Sequence, residues 1–111
     1  MNREQLGTTI RKAVESYIAP SRAGTLGRPF SAAKVAAEVD RLRAALQEPT
    51  RAVVHFDGGT SRECWLVTRE VDGYIVLYDE GRDLYDLAER AADGLRSINV
   101  PGDLVGTFMA R

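Results

Sequence analysis

A chain of 111 residues with 44% hydrophobic and 28% charged side chains, and a net charge of −1, has the composition of one soluble globular domain. It excludes disorder, and it excludes a membrane helix, because the longest apolar runs are about five residues where a span needs roughly 20. A single cysteine, Cys64, excludes an internal disulfide, and with a single histidine, His55, the chain cannot assemble the usual Cys/His zinc sites.

The opening residues, Met1 to Gly7, carry an early acid and no apolar core of a signal peptide, so a cytoplasmic address is expected. Charge is uneven. Residues 1–51 hold nine bases against five acids, a balance of +4. Residues 52–111 hold six bases against eleven acids, a balance of −5. Such asymmetry either neutralises itself within one domain or marks a charged partner.

In chain order, Leu6, Ile10, Ala13, Val14, Tyr17 and Ile18 recur at helical spacing and predict a first helix from about Arg3 to Ile18. Asn2 and Gln5 fit a capping box at its start. Ala19 to Phe30, with two Gly and two Pro, reads as a loop. A second helix is predicted from about Ala32 to Gln47, capped by Ser31, stapled by Phe30 on Val35 and closed by Pro49. Val35, Val39, Leu42 and Leu46 form its stripe.

The pattern then turns to strands at 52–56, 64–68 and 74–78. Asp57 to Ser61 makes the first turn, and Asp72-Gly73 is a two-residue hairpin signal. Leu84, Leu87, Ala88, Ala91 and Leu95 suit a third helix from about Asp83 to Asp93, though a strand at 84–89 also fits. Leu104 to Met109 fits either a strand or a short helix. The expected fold is a single α+β domain over residues 1–111. Two N-terminal helices pack on a three- or four-stranded antiparallel meander, with a mixed C-terminal segment.

Pairing Val71 with Tyr74 puts Trp65 near Glu80. One sheet face then carries Trp65, Val67, Val71, Tyr74, Val76 and Tyr78, and the other carries Cys64, Leu66, Thr68, Ile75 and Leu77. A turn over 57–62 sets His55 opposite Cys64, with Val53 beside them, and sends Val54 and Phe56 to the aromatic face. Both faces are apolar, so both need cover. The N-terminal helices are expected on the aliphatic face. The C-terminal segment, a second copy or a partner is left to cover the aromatic one.

Chemistry-bearing motifs are sparse. Cys64 with His55 is the one nucleophile–base pair, and it defines an alternative reading as a small thiol enzyme. The Asp57-Gly58-Gly59-Thr60-Ser61 loop lacks the phosphate-binding pattern. No cofactor or metal motif is present. Nucleic acid is not expected, since no dense basic patch occurs, and a membrane surface is not expected either. The acids are the main signal. Asp72, Asp79, Glu80, Asp83 and Asp86, with Trp65, Tyr74 and Tyr78 as aromatic anchors, are the candidate partner-binding residues for a basic protein. Small size, an acidic second half and an aromatic sheet face are shared with bacterial immunity and antitoxin proteins, a likeness of class that no single motif carries. The expected role is thus a non-catalytic, stoichiometric inhibitor of a basic partner. A homo-oligomer using the aromatic face is the third reading.

Overall fold

The structure is a computed structural model that describes residues 2–17 and 32–111. The predicted loop at 19–30, the helix end at Ile18, the Ser31 cap and the Phe30 staple lie outside the described residues. Three helices and five strands follow the order α1 (Arg3–Glu15), α2 (Ala32–Ala45), β1 (Leu46–His55), β2 (Ser61–Thr68), β3 (Tyr74–Asp79), β4 (Leu84–Ala91), β5 (Gly94–Ser97) and α3 (Leu104–Met109).

Helix α1 begins with the expected capping box. The Asn2 side chain accepts from the Gln5 N–H at 2.8 Å, and the Gln5 side chain accepts from the Asn2 N–H at 2.9 Å. Leu6, Ile10 and Val14 are its buried stripe. Helix α2 stops at Ala45, earlier than predicted, because the chain passes directly into β1. Pro49 therefore does not close a helix. It sits inside the strand, where Leu46 pairs with Thr68 but Thr50 pairs with Leu66, so four residues of β1 span two of β2. A proline, with no N–H to give, is tolerated at such an irregularity.

The strands form a closed barrel in sequence order, sealed by a parallel pairing of β1 with β5 through Val54–Leu95 and His55–Arg96. The barrel has five strands because residues 84–97 supply two of them. The helix expected at 83–93 is overturned by cross-strand pairing from Tyr74–Glu89 to Asp79–Leu84. Its helical spacing was real, but pairing on β3 alternates these residues instead: Asp86 and Ala88 point one way, Tyr85 and Leu87 the other.

The two sheet faces have opposite fates. Val54, Cys64, Ile75, Leu77, Ala88 and Leu95, drawn from all five strands, form an aliphatic cluster that fills the barrel, with Phe56 and Leu66 against it. The aromatic face, Trp65, Val67, Val76, Tyr78, Tyr85 and Leu87, turns outward and packs with Leu6, Ile10 and Val14 of α1, Leu42 of α2, and Leu104, Val105 and Phe108 of α3. The helices thus cover the aromatic face, not the aliphatic one. Closing the sheet on itself removes any need to cover the latter. The C-terminal segment, as α3, shares in covering the aromatic face. Fully burying each such large apolar side chain contributes about 1.5–3 kcal/mol, so this outer layer and the barrel interior are together the main source of stability.

Candidate functional site

The eight residues singled out from sequence do not form one surface. Trp65 and Tyr78 are buried at 5% exposure each, beneath the helices. The Arg51 guanidinium lies over the Trp65 ring at 4.3 Å. Tyr74 is half-buried beside the same layer. Asp72 is exposed at the β2–β3 hairpin, but it accepts from Arg41 at 3.2 Å and Arg111 at 3.0 Å, which ties the hairpin to α2 and the last turn. Glu80 is exposed, 4.0 Å from Arg51.

Asp79 and Asp86 are not surface acids. Both point inward at one end of the barrel, 2% and 0% exposed. Asp79 Oδ2 accepts from Arg62 at 2.6 Å and Arg82 at 2.7 Å, and its other oxygen accepts from the Gly81 N–H at 3.1 Å. Burial disfavours its charge, but the hydrogen bonds and charges of the two arginines outweigh burial and hold the carboxyl below its ordinary range. The same guanidiniums flank the Phe56 ring at 4.1 and 5.2 Å. Asp86 accepts from the Ser97 hydroxyl at 2.5 Å and from the N–H groups of Leu87 at 2.8 Å and Val100 at 2.9 Å. These two acids close the barrel mouth and anchor the chain leading to α3.

The expected juxtaposition of His55 with Cys64 does not occur. The tight turn over 57–60, closed by Phe56 N–H to Thr60 O at 2.7 Å, pairs His55 with Ser61. That register differs from the predicted one by three residues. An odd shift sends Val54 and Phe56 into the barrel and His55 out of it. His55 Nε2 donates to the Asp93 carbonyl at 3.0 Å, since a carbonyl only accepts, and Nδ1 then accepts from the Ser61 hydroxyl at 2.7 Å. The ring thereby links β1, β2 and the β4–β5 turn. Cys64 is 1% exposed inside the barrel, where burial and the nearby Asp79 push its thiol up to about 11. Neither group has the setting of a nucleophile–base pair with the other.

Two concavities on the outer surface of the described residues stand out. The larger, about 1020 Å³, runs between α1 and the α2–β1 junction over Trp65. Its rim holds Arg3, Arg11 and Arg43 against Glu4, Glu15 and Glu48, so it selects neither sign of charge. The smaller, about 210 Å³, is walled by Tyr17 of the α1 end, Tyr78 of β3 and Tyr85 of β4, with Asp83 and Asp103 at its edge. Tyr78 and Tyr85 face each other across the hairpin with ring centroids 5.1 Å apart and planes tilted by 50°. The Tyr78 hydroxyl donates to Asp83 Oδ1 at 2.6 Å. Asp103 caps α3, accepting from the Gly106 N–H at 3.1 Å.

The electrostatics of this small cavity are one-sided. Burial, and then the charge of Asp103, raises Tyr17, while burial and then Asp83 raise Tyr85. Tyr78 is raised further, by burial and then by its hydrogen bond to Asp83. Most other acids are answered by arginines, among them Glu63 by Arg51, Glu70 by Arg90, Asp93 by Arg96, and Asp79 by Arg62 and Arg82, whereas Glu4, Glu15, Asp57 and Glu89 make no ion pair among the described residues. Asp83 and Asp103 have no such ion pair among the described residues, and one oxygen of each accepts no hydrogen bond. Of the residues expected from sequence, Tyr78 and Asp83 meet here. Tyr85, Tyr17 and Asp103 were missed. The strand alternative at 84–89 was the available signal for Tyr85, since it puts Tyr85 across from Tyr78.

Comparison with family models, with curated proteins and with solved structures finds no match for this chain. No helix among the described residues is long and apolar enough to cross a membrane.

Proposed function

We propose that this domain is a non-catalytic binder of a basic protein, acting by occlusion in the manner of an immunity- or antitoxin-type inhibitor. The observation that carries this reading is the pair of unanswered carboxylates, Asp83 and Asp103, beside three tyrosines, in a chain whose other acids are mostly neutralised by its own arginines. Uncompensated negative charge beside aromatic surface favours a cationic partner, both in steering its approach and in holding it. The acidic balance of residues 52–111 adds a longer-range field of the same sign. Two competing readings lose their support. A thiol enzyme needs Cys64 and His55 together, and they face opposite sides of the sheet. A homo-oligomer built on the aromatic face needs that face open, and α1, α2 and α3 cover it.

The test is binding of a mixed lysine–arginine polypeptide at low and at high ionic strength, against an acidic polypeptide of equal length. The reading predicts that the basic polypeptide binds, that salt weakens it, and that the acidic one does not bind. Equal binding of both, or binding of neither, contradicts it.

A further inference from the structure

We propose that the cavity between Tyr17, Tyr78 and Tyr85 is a pocket for a single arginine side chain, in which a guanidinium lies against the tyrosine walls and hydrogen-bonds to the free oxygens of Asp83 and Asp103. This inference rests on the basic-partner reading and specifies its anchor.

Four features select the guanidinium. At about 210 Å³ the cavity holds one side-chain head and not a folded segment. Three tyrosines line it beside Ala13, Leu104 and Val105, and the negative π-face of a tyrosine attracts a cation. Its two edge carboxylates come from different elements, the β3–β4 turn and the start of α3. Each has one oxygen already spent on a local donor, which fixes the carboxylate and leaves the other oxygen to accept. A guanidinium offers several N–H groups in one plane, so it can bridge two separate acceptors while stacking on a ring. An ammonium is a compact, strongly hydrated point charge that gains less from an aromatic wall.

The cavity is also held in place from several sides. Asp83 sits at φ 52° in the turn that reverses β3 into β4, and the Tyr78–Tyr85 pair is set by strand register. The pocket is therefore largely formed before a ligand arrives, which lowers the ordering cost of binding. Burial first, and the neighbouring Asp103 or Asp83 second, pushes all three tyrosine hydroxyls upward, so they stay neutral at physiological pH.

The experiment uses hexa-arginine, hexalysine and hexacitrulline as probes, with binding mapped on the backbone and tyrosine-ring resonances of the isotopically labelled protein. Citrulline keeps the shape of arginine and lacks its charge. Hexa-arginine is expected to shift Tyr17, Tyr78 and Tyr85 saturably, hexalysine to bind several-fold more weakly, and hexacitrulline to leave these resonances unmoved. The variant Asp83→Asn/Asp103→Asn keeps an acceptor for Tyr78 and a good helix cap, so the fold is retained while both charges go. It should lower hexa-arginine affinity about fivefold or more, as two partly exposed ion pairs would supply. Hexa-arginine binding with shifts elsewhere, or undiminished in the double variant, overturns the pocket and leaves the basic-partner reading standing. Equal effects of hexa-arginine and hexacitrulline also overturn it. Failure of all three probes to bind overturns both.

Discussion

Replacing Asp86 by alanine removes the acceptor on which three donors at the barrel mouth converge. The carboxylate is fully buried and takes the Ser97 hydroxyl and the N–H groups of Leu87 and Val100, with Arg82 3.7 Å away. The serine hydroxyl can rotate to another acceptor. The two backbone N–H groups cannot, and each donor stranded in this way costs about 1–3 kcal/mol. The lost attraction to Arg82 adds to that, so Asp86→Ala should destabilise by about 3–5 kcal/mol, in the range for breaking a buried charged contact. Against a total stability of about 5–15 kcal/mol, this leaves a marginal domain. Asp86→Asn should cost far less, about 1–2 kcal/mol. Its carbonyl oxygen keeps the two N–H bonds, and its amide can donate to Ser97 Oγ, because a hydroxyl also accepts. Urea unfolding followed by the fluorescence of Trp65, the one tryptophan, measures both variants. A cost below about 1 kcal/mol for Asp86→Ala would refute the reasoning, as would equal costs for alanine and asparagine.

Three further outcomes are expected. Asp79 is held below its ordinary range in the folded state, so its contribution to stability is complete above about pH 4 and is lost as pH falls below that toward its folded value. Asp79→Asn should therefore be destabilised at neutral pH, with the deficit shrinking on acidification, and a deficit that stays constant down to the acid transition would contradict this. Cys64, buried and raised to about 11, should resist iodoacetamide at neutral pH until the protein unfolds, and fast stoichiometric alkylation of the native state would show that the thiol is not inside the barrel. Thr68 Oγ1 accepts from the buried Val76 N–H at 3.0 Å, so Thr68→Val should cost about 1–3 kcal/mol in thermal or urea unfolding while Thr68→Ser largely keeps stability. Equal losses in the two variants would deny the hydrogen bond its role.

What was legible in the sequence was local. The Asn2–Gln5 capping box and the Asp72-Gly73 hairpin are each encoded within a few residues, and both form as read. Val71 and Tyr74 exchange their backbone hydrogen bonds, with Asp72 and Gly73 at φ 54° and 86°. The face assignment of β2 and β3 also survived. The observed Trp65–Tyr78 pairing differs from the expected Trp65–Glu80 by two residues, and an even shift preserves the sides. The face of β1 did not survive, because one assumed turn length was wrong by an odd number.

Barrel closure was not legible at all. It depends on β1 meeting β5 some 40 residues later, and no local pattern announces a non-local parallel pairing. The same gap hid the candidate site. Asp79 and Asp86 read as surface acids because burying a carboxylate becomes tolerable only when partners arrive from elsewhere, here Arg62, Arg82, Ser97 and the Val100 N–H. Asp83 read as one acid in a series. Its distinction is that it stands without an arginine partner beside three tyrosines, which only the folded arrangement reveals.

Comparing two variants that remove the same charge tests the central claim most directly. Asp83→Asn/Asp103→Asn removes unanswered carboxylates, whereas Glu63→Gln/Glu70→Gln removes carboxylates already paired with Arg51 and Arg90. Titrated with hexa-arginine at one ionic strength, the first variant should lose most of its affinity and the second should bind almost as the parent does. Equal losses in the two would mean that only net charge matters, and the tyrosine–aspartate cavity would not be the site.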